Sequence, residues 1–240
     1  MAELKGLIFD MDGVLVDNTA YQAQAFQALF TDLDLTTDAT RLLHRLNGMP
    51  ATAILKSVLR HEVPKKQLEE YSTQREFLYR TIYRAHRRAL PGLVPFLEAA
   101  RADGLKIGLG TGSVNTTLSY IIDYLDLRRH FDVVIGADDV QKGKPHAETY
   151  AVVAQKLGLQ PDECVVFEDA ILGEQAAYRA GMRCVGLATT LAAKEFQAPL
   201  TVLKDYVGFT PAKLRELFAG QAQAPKPSKL LASRQYAQQE

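Results

Sequence analysis

Six short strand-like runs punctuate the chain: "LIF" at residues 7 to 9, "LKIGLG" at 105 to 110, "DVVIG" at 132 to 136, "CVVFED" at 164 to 169, "RCVGLA" at 183 to 188 and "LTVLK" at 200 to 204. Between most of them lie stretches with helical periodicity, such as "LVPFLEAARADG", "TTLSYIIDYLDL", "AETYAVVAQKLG" and "GEQAAYRAGM", several closed by a glycine that can end a helix. Strands that alternate with helices pair in parallel through right-handed crossovers, because a hairpin cannot join parallel neighbours. The pattern predicts an open, doubly wound parallel α/β sheet with helices on both faces, and in such sheets ligands bind beyond the carboxyl ends of the strands.

One segment interrupts the alternation. From residue 17 to 89 only helical patterns occur: "TAYQAQAFQALFTDL", "DATRLLHRLNG", "ATAILKSVLR" and a long one from 65 to 90. That is too much chain for a connection and enough for a small domain. The division expected is an α/β catalytic core of residues 1–16 and 90–219, a helical cap of residues 17–89 seated over the first strand's end, and a disordered tail at 220–240, rich in Ala, Gln, Pro and Lys.

Composition excludes several partners. With 240 residues, 47% of them hydrophobic, the chain can bury a sizeable core. Its formal net charge of zero supplies no global field to gather nucleic acid. The apolar runs fall far short of the roughly 20 residues a membrane span needs, and "MAELKGLIFD" has no secretory pattern. Cys164 and Cys184 sit inside strand patterns, away from any CxxC spacing, as buried cysteines do in a reducing compartment. The expectation is a cytoplasmic monomer acting on a small molecule.

The chemistry follows the strands. "LIFDMDGVLVD" runs straight into Asp10, Asp12 and Asp17, a crowding of like charges that calls for a cation. After "KIGLG" comes "TGS", Thr111 to Ser113, opening a helix; after "DVVIG" a polar loop reaches "KGKP" with Lys142 and Lys144; after "CVVF" come Glu168 and Asp169. Singly, each is ordinary, since an Asp or Thr behind a strand is usually a cap or turn residue and a loop lysine is usually solvated. Jointly they bring carboxylates, a hydroxyl with helix-start amides and an ammonium to one sheet edge. Carboxylate oxygens from different strands suit Mg²⁺, which binds few carboxylates together with a substrate phosphate. Thr111 and the amides after it would hold a phosphate oxygen, and Lys144 would neutralise charge on the transferring group. A carboxylate so placed can attack phosphorus in line and form an aspartyl phosphate that water breaks down.

"DMDGVLVD", "GTGS", "KGKP" and "FEDAILGEQAAYRAGM" resemble, in order and approximate spacing, the four motifs of the haloacid dehalogenase superfamily, and the insert resembles the small helical cap of its β-phosphoglucomutase and phosphoglycolate phosphatase branch. The resemblance implies that Asp10 is the nucleophile and Asp12 the general acid/base, with Thr111 and Lys144 on the phosphate. It implies a Mg²⁺ site of Asp10, Asp12 through its main-chain carbonyl, Glu168 and Asp169. It also implies a substrate-binding set of Gly112, Ser113 and Asn115, joined by Gly48 and Arg75 from the insert. Dehalogenating members lack a carboxylate two residues after the nucleophile, so Asp12 implies phosphoryl transfer.

Hydrolysis and transfer within one sugar remain to be separated. β-Phosphoglucomutases carry an arginine three residues after the cap-loop glycine, where "LNGMPATA" has Ala51, and a histidine in the first cap helix, where "DNTAYQAQ" has Gln22. The expected reaction is therefore Mg²⁺-dependent hydrolysis of a small phosphomonoester, such as a sugar phosphate, with a β-phosphoglucomutase-type mutase as the alternative. A relative that only binds a phosphorylated ligand is a third reading, opposed by the intact set of Asp10, Asp12, Thr111, Lys144 and Asp169. Arg75, Arg80, Arg84, Arg87 and Arg88 form a basic stripe on the insert's last helix, a stripe that would attract anionic esters or merely be solvated.

Overall fold

In the computed structural model, which describes residues 2–59, 62–221 and 223–225, all six runs form strands. They are β1 (Gly6–Phe9), β2 (Lys106–Gly110), β3 (Val133–Ile135), β4 (Cys164–Glu168), β5 (Arg183–Leu187) and β6 (Val202–Leu203), and every pairing is parallel in the order β3-β2-β1-β4-β5-β6. The chain passes from β3 at one edge back across the first strand to β4, so β1 lies at the switch point of the winding. That is where such sheets open a crevice for ligands.

Alternation along the strands builds a core on each face. Phe9, Leu109 and Phe167 point to one side, where α5 (Leu93–Ala102), α6 (Asn115–Ile122) and α9 (Pro211–Gly220) cover them. Ile8, Val166 and Cys184 point to the other, under α7 (Glu148–Leu157) and α8 (Ile171–Arg179). Phe9 and Phe167, register partners, stack at 4.5 Å between centroids. This rigid aromatic pair sits one residue before Asp10 and Glu168. Both cysteines are buried and free.

The insert folds as α1 (Thr19–Asp32), α2 (Ala39–Leu46), α3 (Ala51–Val58) and α4 (Lys65–Tyr83), packed on their own cluster that includes Phe26, Leu29, Phe30, Leu43, Ile54 and Leu55. Its two ends meet: Val16 pairs with Ala89 in an antiparallel bridge, and the Leu90 amide donates to the Leu15 carbonyl at 2.8 Å. We propose residues 17–89 as one unit on that exit and return.

The same pairing shortens the last helix. Helical periodicity runs on to residue 90, but α4 ends at Tyr83, because the chain must become extended to reach Val16. The arginine stripe is broken with it. Arg84, Arg87 and Arg88 lie past the helix end, while Arg75 is buried.

The expected tail at 220–240 lies outside the described residues except for 220, 221 and 223–225. Of these, Gly220 ends α9 and the Gln221 carbonyl accepts from Arg183 Nε at 2.7 Å. No described helix is long and apolar enough to cross a membrane.

Candidate active site

Four strand ends converge as their order requires. Asp10 follows β1, Thr111 follows β2, Lys144 lies on the loop leading from β3 to α7, and Glu168 closes β4 with Asp169 behind it. Asp10, Thr111, Lys144, Glu168 and Asp169 are all buried. The Lys144 ammonium stands 2.8 Å from Asp10 Oδ1 and 2.7 Å from Glu168 Oε1. Oxygens of Asp10, Glu168 and Asp169 lie within 4.8 Å of one another.

Glu168 is held on every side by protein donors. Its Oε1 accepts from Lys144 and from the Tyr150 hydroxyl, and its Oε2 accepts from the amides of Asp169 at 2.9 Å and Ala170 at 3.1 Å. Among the described residues Asp169 is held on one oxygen only: Oδ2 accepts from Asn47 Nδ2 at 3.1 Å and from Thr190 Oγ1, while Oδ1 is buried without a hydrogen-bond partner. Such an orphan is costly unless something outside the chain meets it. Asp10 Oδ1 faces the Lys144 ammonium.

The chain before α1 turns tightly between Met11 and Val16, with Gly13 at φ 71°. A side chain there would strike Asp169 2.0 Å from Oδ2, so glycine is what allows the turn to lie against the acidic cluster. The turn presents Asp12, whose Oδ2 accepts from Ser113 Oγ at 2.7 Å and whose Oδ1 accepts from Asn18 Nδ2 at 2.5 Å and Gln22 Nε2 at 3.2 Å. Three donors thus fix its orientation, two of them from the start of the insert.

The electrostatics record an excess of acid. Burial pushes the Asp10 carboxyl up to about 7 against the pull of Lys144, with Glu168 and Asp12 adding to the rise. Burial, then Glu168 and Asp10, hold Asp169 well above the usual carboxylate range. Burial works to lower Lys144, but Asp10 and Glu168 outweigh it and hold the ammonium above the ordinary lysine range. One ammonium does not balance this cluster of carboxylates, and a divalent cation beside Asp10 Oδ1 and Asp169 Oδ1 would.

Asp10, Asp12, Thr111, Gly112, Ser113, Gly48 and Arg75 line one cleft of about 80 Å³ between sheet and insert. It shares Pro50, Thr52, Ser72 and Thr111 with a wider opening of about 400 Å³. Lys144, Glu168 and Asp169 lie behind it. The Thr111 amide is committed to the Ile135 carbonyl, so its hydroxyl, which accepts from the Ser113 amide at 3.2 Å, is what it offers.

The structure does not bring every expected residue to the cleft. Asn115 is the first residue of α6 and is exposed, with its side-chain amide against Gly136 behind β3 and not in the cleft. Asp17 and Lys142 are exposed as well, so the crowding after β1 is between Asp10 and Asp12 alone.

Several contributors escaped sequence reasoning. Tyr150 lies within α7, and Asn18 and Asn47 flank α1 and α2, with nothing in the local sequence to mark any of them as site residues. Thr190 did leave a signal, since it follows β5 as the other site residues follow their strands.

Comparison with known proteins places these features. A family model described as haloacid dehalogenase-like hydrolase matches residues 7–187. The fructose-1-phosphate phosphatase YqaB of Escherichia coli (strain K12) is 34% identical over 185 residues, 75% of this chain and 94% of that protein. A phosphorylated carbohydrates phosphatase of Thermotoga maritima is 30% identical over 180 residues, 75% of this chain and 82% of that one. The crystal structure of a β-phosphoglucomutase from Clostridium difficile superposes with a TM-score of 0.82 over 90% of this chain and 98% of that one, at 22% identity, a likeness of fold alone.

Proposed function

The chain belongs to the haloacid dehalogenase-like hydrolases and is a phosphoric monoester hydrolase of that family, and on that premise we propose that it cleaves a small phosphomonoester, such as a sugar phosphate, through an aspartyl phosphate on Asp10. The observation that carries this reading is the pairing of roles on one turn: buried Asp10 ion-paired to Lys144, and, two residues on, Asp12 clamped by Ser113, Asn18 and Gln22 over the same cleft.

In the first half-reaction an Asp10 oxygen bonds to phosphorus as the ester P–O bond breaks, and Asp12 gives its proton to the departing oxygen. In the second, Asp12 takes a proton from water, the water oxygen attacks phosphorus, and the bond to Asp10 breaks, releasing inorganic phosphate and returning Asp10 as a carboxylate and Asp12 as the protonated acid. The Lys144 ammonium and Thr111 hydroxyl hold phosphoryl oxygens, and Glu168 with Tyr150 keeps the ammonium aimed.

The donor set fits Mg²⁺. Asp10 and Asp169 would hold it, Asp169 through a buried Oδ1 that has no hydrogen-bond partner among the described residues, with the Asp12 carbonyl as the further ligand that the family resemblance implies. Glu168, which the resemblance also implies, has both oxygens taken by protein donors and would stand beside the ion. When bound it would supply positive charge against which a carboxylate and an anionic ester can approach each other.

Transfer within one sugar would need a second phosphate grip from the insert. Ala51 offers no side chain for it, and Gln22 is engaged with Asp12.

The test is phosphate release from a panel of phosphomonoesters in Mg²⁺ and in chelator, with β-glucose 1-phosphate followed for conversion to the 6-phosphate. Mg²⁺-dependent release supports the hydrolase reading. Isomerisation without release would replace it with a mutase.

A further inference from the structure

On the insert side, the cleft carries two ionisable side chains that belong to one pair. Arg75 and Glu76, neighbours in α4, are both buried, and Arg75 Nη1 donates to Glu76 Oε1 at 2.7 Å. The second oxygen of Glu76, Oε2, accepts from Thr117 Oγ1 of α6, so the carboxylate is tied to the core and cannot swing away. Arg75 lies over the Phe26 ring, 4.4 Å from guanidinium carbon to centroid, and beside Tyr79 at 5.3 Å. Glu76 is its hydrogen-bond partner among the described residues, and its Nε is buried with none.

A buried guanidinium beside a catalytic cleft would ordinarily draw an anionic group of the substrate. Its charge, however, is already balanced. Within this inner cleft the rest of the insert-side lining, including Gln22, Asn47, Ser72, Phe26 and Ile54, is neutral, and the wider opening beside it adds one further insert carboxylate, Glu69. A leaving group there meets hydrogen-bond donors and apolar walls with no surplus positive charge, and a carboxylate or second phosphate would be set against Glu76.

We propose that Glu76 is a specificity-determining residue: paired with Arg75 and anchored by Thr117, it keeps the leaving-group side of the cleft without net charge. It thereby selects phosphomonoesters of neutral polyols over esters whose leaving part carries a second anion. This rests on the phosphatase reading, since it concerns which ester that chemistry accepts.

The experiment is a comparison of kcat/KM in Mg²⁺ for a hexose monophosphate, a hexose bisphosphate, phosphoglycolate and p-nitrophenyl phosphate. The wild type should favour the hexose monophosphate over both doubly anionic esters by roughly tenfold or more, the scale on which an opposed charge in a desolvated pocket discriminates. Glu76→Gln keeps the side chain's shape, can still accept from Thr117 and frees the Arg75 charge. It should shift that ratio about tenfold toward the anionic esters, through their KM. Glu76→Asp keeps the charge and should keep the preference.

Equal or better use of anionic esters by the wild type overturns the proposal, as does a folded Glu76→Gln with an unchanged ratio. Release from p-nitrophenyl phosphate with none from the hexose monophosphate overturns it and spares the phosphatase reading. No release from any ester overturns both.

Discussion

The Cα of Gly173 rests against the carboxylate of Glu168, so closely that a methyl group there would fall 1.7 Å from Oε1 and 2.4 Å from Oε2. The first turn of α8 can pack onto the acid that holds Lys144 only because residue 173 has no side chain. Gly173→Ala should displace Glu168 from its donors, lower stability by about 1–3 kcal/mol and cut kcat. Urea unfolding and phosphate release would check it, and a variant that matches wild type in both would show the seat of Glu168 to be adaptable.

Asp10→Asn should remove the nucleophile and keep the fold. A fall in kcat of about 10⁴-fold or more is expected of a residue on which the covalent step depends. Its melting temperature should equal or exceed that of wild type, because one carboxylate leaves a buried cluster that holds too many of them. Retained turnover would move the attacking role elsewhere.

Tyr150→Phe deletes a single hydroxyl from a fully buried site and leaves the ring in place. The lost donor to Glu168 should cost about 1.5–3 kcal/mol, as hydrogen bonds to charged groups do. It should also reduce kcat/KM by loosening the acid that aims Lys144. Denaturant unfolding and steady-state kinetics on one preparation would separate the two effects.

Mg²⁺ should stabilise the folded chain whether or not substrate is present. At a free concentration 100 times its Kd, the gain expected from linkage is about 2.7 kcal/mol. Calorimetry in Mg²⁺ and in chelator would read it. Asp169→Asn should abolish the shift, and an undiminished shift in that variant would place the ion away from Asp169.

His130 predicts a pH dependence remote from the active site. Burial, reinforced by Arg129 and Arg101, lowers its pKa, and its Nε2 is buried without a hydrogen-bond partner among the described residues. The unfolded chain therefore takes up a proton near the ordinary histidine value of about 6.5 while the folded chain still resists. Stability is complete above that pH and falls as pH drops toward the depressed folded value. The loss should be smaller in His130→Gln, measured as melting temperature from pH 8 down to pH 5.

Much of the site was legible because its signals are local. Short apolar runs closed by Asp10, Thr111 or Glu168, with helices between them, point to a parallel sheet, and a parallel sheet gathers its strand ends on one edge whatever the loops do. Lys144 could be placed the same way, from its loop behind β3. The insert was visible as seventy-odd residues without a strand, from 17 to 89.

What only the tertiary structure decided is how groups distant in sequence meet. Ser113 and Asp12 are 101 positions apart, and Asn47 and Asp169 are 122 apart, so no local pattern carries their hydrogen bonds. Arg75 is expected at the substrate from the resemblance alone, and nothing local marks Glu76; only the docking of α4 onto α6 buries them as a pair. Asn115 and Asp17 stand beside functional residues in sequence and face elsewhere in space. The sequence thus determined the sheet, the edge and the polar groups gathered there. The docking of insert on core set the charge and shape of the cleft, because side-chain burial and pairing depend on surfaces that exist only after both parts have folded.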